Sequence, residues 1–264
     1  MNNAAQTQSI QPDRVQRGEA IEPAYRGEVM RLMTVFVDSE LAGAAGFADM
    51  INEAPGLPER HVAAQIVADK FSFADQALCL MKDFGVDPRL YVASHPWAAR
   101  ISRSVDLGNR QSAIGNRQSA YRRIGGDKRL NVFHYPLQGW TDALVMSTLM
   151  GTASKIQLAE LPDCSYAPLA NLMESITQGE ARHAELGERG LTAVLDQEGN
   201  APAQASIDYW YPRVAASFGR ANSLHNQRLR DFGLLKYSNE QRLARWCGEV
   251  DDLLTRFNLT PGQM

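Results

Sequence analysis

Four long stretches of the sequence carry apolar side chains at steps of three and four residues, which places them on one face of an α-helix. They cover about residues 23–52, 58–85, 139–160 and 166–196. Helices with one apolar face bury it against each other, and four of them form a bundle. Strand signals are weak, since no Asn-Gly or Asp-Gly turn lies between alternating runs. The sequence therefore predicts an all-α protein built on a four-helix bundle.

Ionisable residues interrupt three of these apolar faces. Glu40 lies among Met33, Val37, Ala44 and Phe47 in the first stretch. Lys70 lies on the inner face of the second stretch, and Glu180 and His183 lie on that of the fourth. A buried charge is tolerated only when it is paired or binds a metal. We therefore expect these side chains to meet inside the bundle.

The segment Glu180-Ala-Arg-His183 is a Glu-x-x-His pair. Residues three apart share a helix face, so both can reach one metal ion. Di-iron bundles use two such pairs and one Glu from each of the other two helices, and carboxylates and imidazoles suit iron. A lone pair of this kind is also common on helix surfaces. Its place on an apolar face, with Glu40 on another, favours Glu40, Glu180 and His183 as metal ligands.

Composition excludes several other classes of protein. The 264 residues carry a formal charge of −3, so neither nucleic acid nor an anionic membrane is an expected partner. No apolar run is long enough to cross a membrane. Three widely spaced cysteines suit a reduced cytoplasm, where we expect them to be small buried side chains.

The chain divides into a leader and one helical domain. Residues 1–22 are polar and predict a disordered leader, and 23–258 predict the domain. Two further helices are expected at 203–218 and 239–257, separated by a polar loop at 222–226. The pattern fails from 87 to 138, where a basic insertion at 98–130 repeats GNRQSA. We expect this insertion to be solvated and mobile; the alternative is a docking patch for an acidic partner or CoA phosphates.

Several ordered blocks carry a resemblance to a known family. They are AYRGEVMRLMTVFVDSELAG, VFHYPLQGWTDALVMSTLMGTASKIQLAELPDCSYAPLANLMESITQGEARH, DYWYPRVAASFG and LKYSNEQRLARW. Together they resemble the catalytic A subunit of phenylacetyl-CoA epoxidase over most of residues 24–252. The resemblance implies a ferritin-like fold, aryl-CoA thioesters as ligands, and a di-iron monooxygenase centre.

The family's metal ligands carry over only in part. Glu40, Glu180 and His183 match ligands, whereas a Glu, a His and a carboxylate of the family fall on Lys70, Phe73 and Gly151. We therefore interpret the site as a degenerate di-iron centre in which Lys70 replaces the metal by pairing with the carboxylates. On this hypothesis, restoring Glu, His and Asp at 70, 73 and 151 creates iron binding.

Two functions remain open. One is a non-catalytic or vestigial paralogue in phenylacetic acid degradation that binds no cofactor and assembles with itself or a paralogous ferritin-like subunit. The other is a metal-dependent oxygenase or hydroxylase that holds one iron ion on Glu40, Glu180 and His183, with water completing the shell.

The remaining polar and aromatic residues predict no second site. His61, His95, His134 and His225 have no partner at metal-ligand spacing, and for His134 we expect a packing role. We interpret Asp69, Asp142 and Glu174 as exposed or capping carboxylates. Trp140, Trp210 and Tyr211 are expected in the core or at an interface.

Overall fold

The computed structural model describes residues 14–94, 97–104 and 127–264. This part of the chain forms eight α-helices. In chain order they are Pro23–Ala48 (α1), Leu57–Met81 (α2), Pro88–Ala93 (α3), Gly139–Leu158 (α4), Ala167–Glu198 (α5), Asn200–Ala215 (α6), Leu224–Asp231 (α7) and Asn239–Arg256 (α8). The only β-type pairing among these residues is an isolated bridge between Val15 and Tyr166. The all-α prediction is confirmed.

The four long helices form a bundle from two closely packed pairs. Helix α1 packs along α2, and α4 packs along α5. The pairs meet where α2 contacts α5, whereas α1 and α4 stay further apart. Helices α6 and α8 cover the outer side of α4 and bury Trp210 and Trp246 there. The extra C-terminal helices predicted from the sequence are confirmed, as is the core position of Trp210 and Tyr211.

Two short helices were not predicted. Helix α3 begins at an N-cap, Asp87, whose carboxylate accepts hydrogen bonds from the N–H groups of Arg89 and Leu90. Tyr91 fixes this helix to α1 by donating to Asp38 Oδ1 over 2.6 Å. Helix α7 occupies part of the predicted polar loop and is capped by Ser223. Both helices are too short to show a helical period in the sequence, and their end caps stabilise them instead.

The insertion predicted at 98–130 has both exposed and packed residues at its two described ends. Arg129 is fully buried, and its side chain donates to Asp127 and to the carbonyl of Trp97. Arg100 adds a second ion pair to Asp127, at 3.1 Å. Without these ion pairs, burial of the charged side chains would be strongly unfavourable. The GNRQSA repeat lies outside the described residues, at 105–126.

The described part of the predicted leader, residues 14–22, contacts the helical domain. The N–H of Val15 donates to the carbonyl of Ser165 over 2.8 Å, and the N–H of Ala167 donates back to Val15 over 3.0 Å. Arg17 pairs with Asp83 at 2.6 Å. The packed part of the chain therefore begins before residue 23. Residues 1–13 lie outside the described part.

None of the helices that the structure describes is long and apolar enough to cross a lipid bilayer. The cysteines depart from expectation, because only Cys164 is buried and Cys79 is exposed. Cys79 lies on the outer face of α2, where the apolar stripe does not reach.

Candidate functional site

Three ionisable side chains predicted from separate helices meet at the centre of the bundle. Lys70 on α2 places its Nζ 2.9 Å from Glu180 Oε1 on α5 and 3.2 Å from Glu40 Oε2 on α1. Glu180 and Glu40 are buried, and Lys70 is 18% exposed. One ammonium group thus bridges the two carboxylates and ties three helices together.

His183 extends this network towards the surface. Its Nδ1 lies 3.1 Å from Glu180 Oε1, and its Nε2 lies 3.1 Å from Asp69 Oδ2. The interpretation of Asp69 as an exposed or capping residue is therefore wrong: it is 22% exposed and pairs across to α5. A neutral imidazole donates from one nitrogen only, so both contacts are hydrogen bonds only if the ring or a carboxyl carries an extra proton.

The two carboxylates of the network have different electrostatics. Burial raises the pKa of Glu40 to about 7, and the pairing with Lys70 opposes this only in part. Burial acts in the same direction on Glu180, but Lys70 and His183 together hold its pKa well below the usual value. The pKa of Glu180 is the lower of the two because the ammonium of Lys70 lies closer to it than to Glu40 and because His183 gives it a second hydrogen bond. Burial alone would lower the pKa of Lys70, yet the two carboxylates raise it above its ordinary value, so Lys70 is a cation.

Phe73 fills the space beside this network on the same face of α2. Its ring centroid lies 5.8 Å from that of His183. A Cβ atom added to Gly179 would lie 2.3 Å from the ring, at Cζ. The glycine therefore makes room for the phenyl ring. Nothing in a phenyl ring can ligate a metal, so this position contributes packing only.

Gly151 lies on the face of α4 that packs against α5. A Cβ atom at this position would lie 3.0 Å from the Cα atom of Ala184, which is a tight contact with backbone. A side chain here therefore requires the neighbouring helix to shift by a few tenths of an ångström. That restoring all three ligands creates iron binding stays a prediction, and Gly151→Asp is the substitution among the three that requires α4 and α5 to adjust.

The residues around Lys70 do not fit a di-iron group. Such a group needs four carboxylates to balance two ferrous ions, and this site brings together two buried carboxylates, one imidazole and a fixed cation. Among the described residues, no group of three or more His, Cys, Asp and Glu side chains has the arrangement of a metal site. These side chains instead form an ion-pair network in which the Lys70 ammonium contacts both carboxylates.

An apolar pocket reaches this network from the side where α1 and α4 are apart. Lys70, Glu180 and His183 line its inner end, and Gly151 lies beside them. Phe47, Met50, Ile66, Phe133, Leu137 and Met150 are among its apolar walls. It encloses about 910 Å³ of empty space, part of it open to solvent. We refer to it as the central pocket.

Asp142, which we expected to be exposed or capping, is a buried acceptor. It takes two hydrogen bonds from Arg103, at 2.6 and 3.1 Å, and others from Ser206 and the indole of Trp210. It also accepts from the N–H of Gln138, so it does cap the start of α4. Sequence reasoning missed it because its partners lie far along the chain.

The other predicted residues lie apart from the network. His134 is buried, as expected for packing; His61 and Glu174 are exposed. His225 pairs with Glu28 at 3.0 Å, which links α7 to α1. Trp140 stacks on Phe47. His95 lies outside the described residues.

Comparison with known proteins agrees with the resemblance read from the sequence. The model of the family of phenylacetic acid catabolic proteins matches residues 7–263. The A subunit of the 1,2-phenylacetyl-CoA epoxidase of Escherichia coli (strain K12) is 24% identical over 247 residues, which cover 88% of this chain and 70% of that relative.

Proposed function

Because this chain belongs to the family of phenylacetic acid catabolic proteins, we propose that it serves phenylacetic acid catabolism as a subunit without a metal centre of its own. The observation that carries the proposal is the position of Lys70 Nζ, within 3.2 Å of the two carboxylates that the resemblance assigns to iron. An ion-pair network takes the place of the metal and holds α1, α2 and α5 together.

Charge supports this proposal. A divalent ion bound to Glu40 and Glu180 would lie next to the ammonium of Lys70, and like charges repel strongly in a poorly solvated interior. The ammonium already donates to both carboxylates, so a metal would have to displace it. Phe73 and Gly151 supply no ligand in compensation.

We propose further that the chain works in an assembly, either with itself or with a paralogous ferritin-like subunit. The relative from Escherichia coli is named as one subunit of its enzyme. Leu57, Phe71 and Leu90 are large apolar side chains exposed on α2 and α3. Sedimentation of the purified chain, alone and with a co-expressed family member, measures the assembly. A strictly monomeric chain that binds no paralogue contradicts this part.

Metal content tests the absence of a metal centre. The chain is expressed with ample iron, purified without chelator and analysed by mass spectrometry of its metals, beside Lys70→Glu and the surface control Lys155→Glu. We expect almost no iron in the unaltered chain and in the control. Lys70→Glu, which removes the cation and adds a carboxylate, is expected to bind about one ion per chain. About one iron in the unaltered chain would contradict the proposal.

The central pocket favours a second candidate function, a metal-dependent oxygenase or hydroxylase with a single altered iron site. Glu180 and His183 line this pocket, so a molecule bound in it would lie next to them. In this case an aryl-CoA thioester is the expected ligand. If the unaltered chain carries iron, oxygen-dependent turnover of aryl-CoA thioesters decides between a resident catalytic metal and an adventitious one.

A further inference from the structure

An open apolar groove lies between the first half of α2 and the second half of α5. The two helices meet at Lys70 and Glu180, and the groove lies beyond this contact, towards the start of α2. Val62 and Ile66 of α2 line one side of it, and Leu186 of α5 lines the other. It encloses about 860 Å³ of empty space, part of it open to solvent. We call it the α2–α5 groove.

The groove is partly aromatic and has room for a side chain from outside. Trp140 at the start of α4 stacks on Phe47 of α1, and both rings line the groove. Trp140 is only half-buried. On the side of α5, Gly187, Gly190 and Ala193 add little side-chain volume. Exposed apolar surface with an aromatic centre is typical of a contact with another protein.

A large apolar side chain lies next to this groove in solvent. Leu57 is the first residue of α2 and is 79% exposed, and the two residues that follow it, Pro58 and Glu59, line the groove. A projecting group and a hollow thus share one surface. A two-fold contact between identical chains requires this arrangement, because each copy offers the same patch to the other.

Two opposite charges also line the groove and are unpaired. Glu59 lies on the side of α2 and Arg189 on the side of α5. Neither forms an ion pair within the part of the chain that the structure describes. If Leu57 of one copy entered the groove of a second copy, Glu59 would follow two residues later and come close to Arg189 of that copy. A two-fold axis would repeat the pair, so the charges of the patch complement themselves.

We propose that the α2–α5 groove is a two-fold interface between two copies of this chain. Leu57 of each copy enters the groove of the other, and Glu59 of each copy pairs with Arg189 of the other. A second copy is favoured over a different partner because it supplies the apolar side chain and both charges itself. This inference names the partner in the proposed assembly and rests on that part of the proposed function. No member of the ion-pair network lines the groove.

Sedimentation equilibrium of the full chain tests the apolar contact through the dissociation constant of the dimer. We expect Leu57→Asp to raise this constant about hundredfold, because the lost burial counts twice in a two-fold contact. The matched control is Leu224→Asp. Leu224 is 80% exposed on α7, which contacts the start of α1 away from the groove, and its substitution is expected to change nothing. A chain that stays monomeric up to about 100 µM overturns the proposal.

Two charge reversals test the ion pairs. Glu59→Arg and Arg189→Glu each place like charges against each other twice, and each is expected to raise the dissociation constant about tenfold or more. An equimolar mixture of the two variants restores opposite charges at both contacts. We therefore expect a mixed dimer whose dissociation constant is within about threefold of that of the unaltered chain. A mixture that dimerises no better than either variant alone overturns the two-fold contact.

The remaining outcomes separate this interface from the proposed function. A chain that is monomeric alone but sediments with a co-expressed family member overturns the interface and leaves the proposed assembly standing. A dimer that neither Leu57→Asp nor the charge reversals weaken overturns the assignment to this groove. Recovery in the mixture also shows that both charge variants are folded, and far-ultraviolet circular dichroism of each variant checks this independently.

Discussion

Lys70 supplies the positive charge that both buried carboxylates at the bundle centre contact. Lys70→Met removes the ammonium and leaves Glu40 and Glu180 facing each other without a counter-charge. Breaking a buried ion pair on one side costs about 3–5 kcal/mol. We expect a loss of this size in the free energy of unfolding, measured by urea denaturation at neutral pH.

The matched control for Lys70 is Lys155→Met. Lys155 pairs with Glu249 at 2.8 Å, but it is 42% exposed. A surface pair of this kind contributes less than about 1 kcal/mol. Equal losses in the two variants would show that the buried network is no more important than a surface pair.

Gly151 and Gly248 form a test of close helix packing. Gly151→Ala places a Cβ 3.0 Å from the backbone of Ala184, whereas a Cβ at Gly248 in α8 meets nothing within 4 Å. We expect Gly151→Ala to destabilise the protein by about 1–3 kcal/mol through overpacking. Gly248→Ala is expected to stabilise it by up to about 1 kcal/mol through helix propensity. Thermal unfolding measures both, and a stabilising Gly151→Ala would show that α4 and α5 can separate.

At the residue scale the sequence predicted the members of the network that interrupt an apolar face. Glu40, Lys70, Glu180 and His183 were found in this way, and the structure brings all four together. Asp69 was missed because it lies one position off the stripe of α2. Whether it reaches His183 depends on how α2 is rotated against α5, which no local pattern records.

Asp142 joins three elements, namely α4, α6 and the segment 97–104. Asp142→Ala leaves the guanidinium of Arg103 and the indole of Trp210 without their acceptor. We expect a loss of about 3 kcal/mol or more in the free energy of unfolding, since buried polar groups lose their partner. Asp208→Ala removes an exposed carboxylate of α6 that accepts from Gln204, and serves as control. A loss no larger than the control's would contradict this role.

Asp127 makes the contribution of the segment before α4 to protein stability depend on pH. Burial raises the pKa of Asp127, but hydrogen bonds from Arg129 and the charges of Arg129 and Arg100 outweigh it and hold the pKa below the ordinary value of 3.8. A carboxyl group whose pKa is lower in the folded protein stabilises the fold at every pH above its unfolded-state pKa. This stabilisation is lost as the pH falls through the folded-state pKa. The advantage of the unaltered chain over Asp127→Asn should therefore shrink below about pH 4. Urea titrations across the acid range measure it, and a constant difference would contradict the prediction.

Helical elements were predictable in proportion to their length. The four bundle helices end within a few residues of their predicted bounds because each repeats its apolar face over several turns. Helices α3 and α7 were missed because a single capping residue and a few contacts decide them. The packing at the described ends of the basic insertion was not predicted, for a related reason. Their arginines are neutralised by carboxylates, and Arg103 finds its carboxylate 39 residues further along the chain.

At the scale of the whole molecule, the ion-pair network is a polar link between the two helix pairs. Glu40 and Lys70 belong to one pair, and Glu180 and His183 belong to the other. If no metal contributes to this link, a chelator removes nothing from the folded state. We expect excess EDTA to shift the thermal midpoint by less than about 1 °C, whereas a resident structural metal would couple its binding energy to folding. A large decrease that added iron reverses would contradict the proposed function.

The contact between Gly151 and Ala184 also restricts how sequences of this kind can change over time. The Cα atom of Ala184 lies 3.0 Å from the position of a Cβ atom at Gly151, so a side chain there requires a small shift of the neighbouring helix. Gly179 is restricted in the same manner, because a Cβ atom there would lie 2.3 Å from Cζ of Phe73. On the proposed function, a carboxylate at position 151 is therefore easier to regain after a substitution that widens this helix contact.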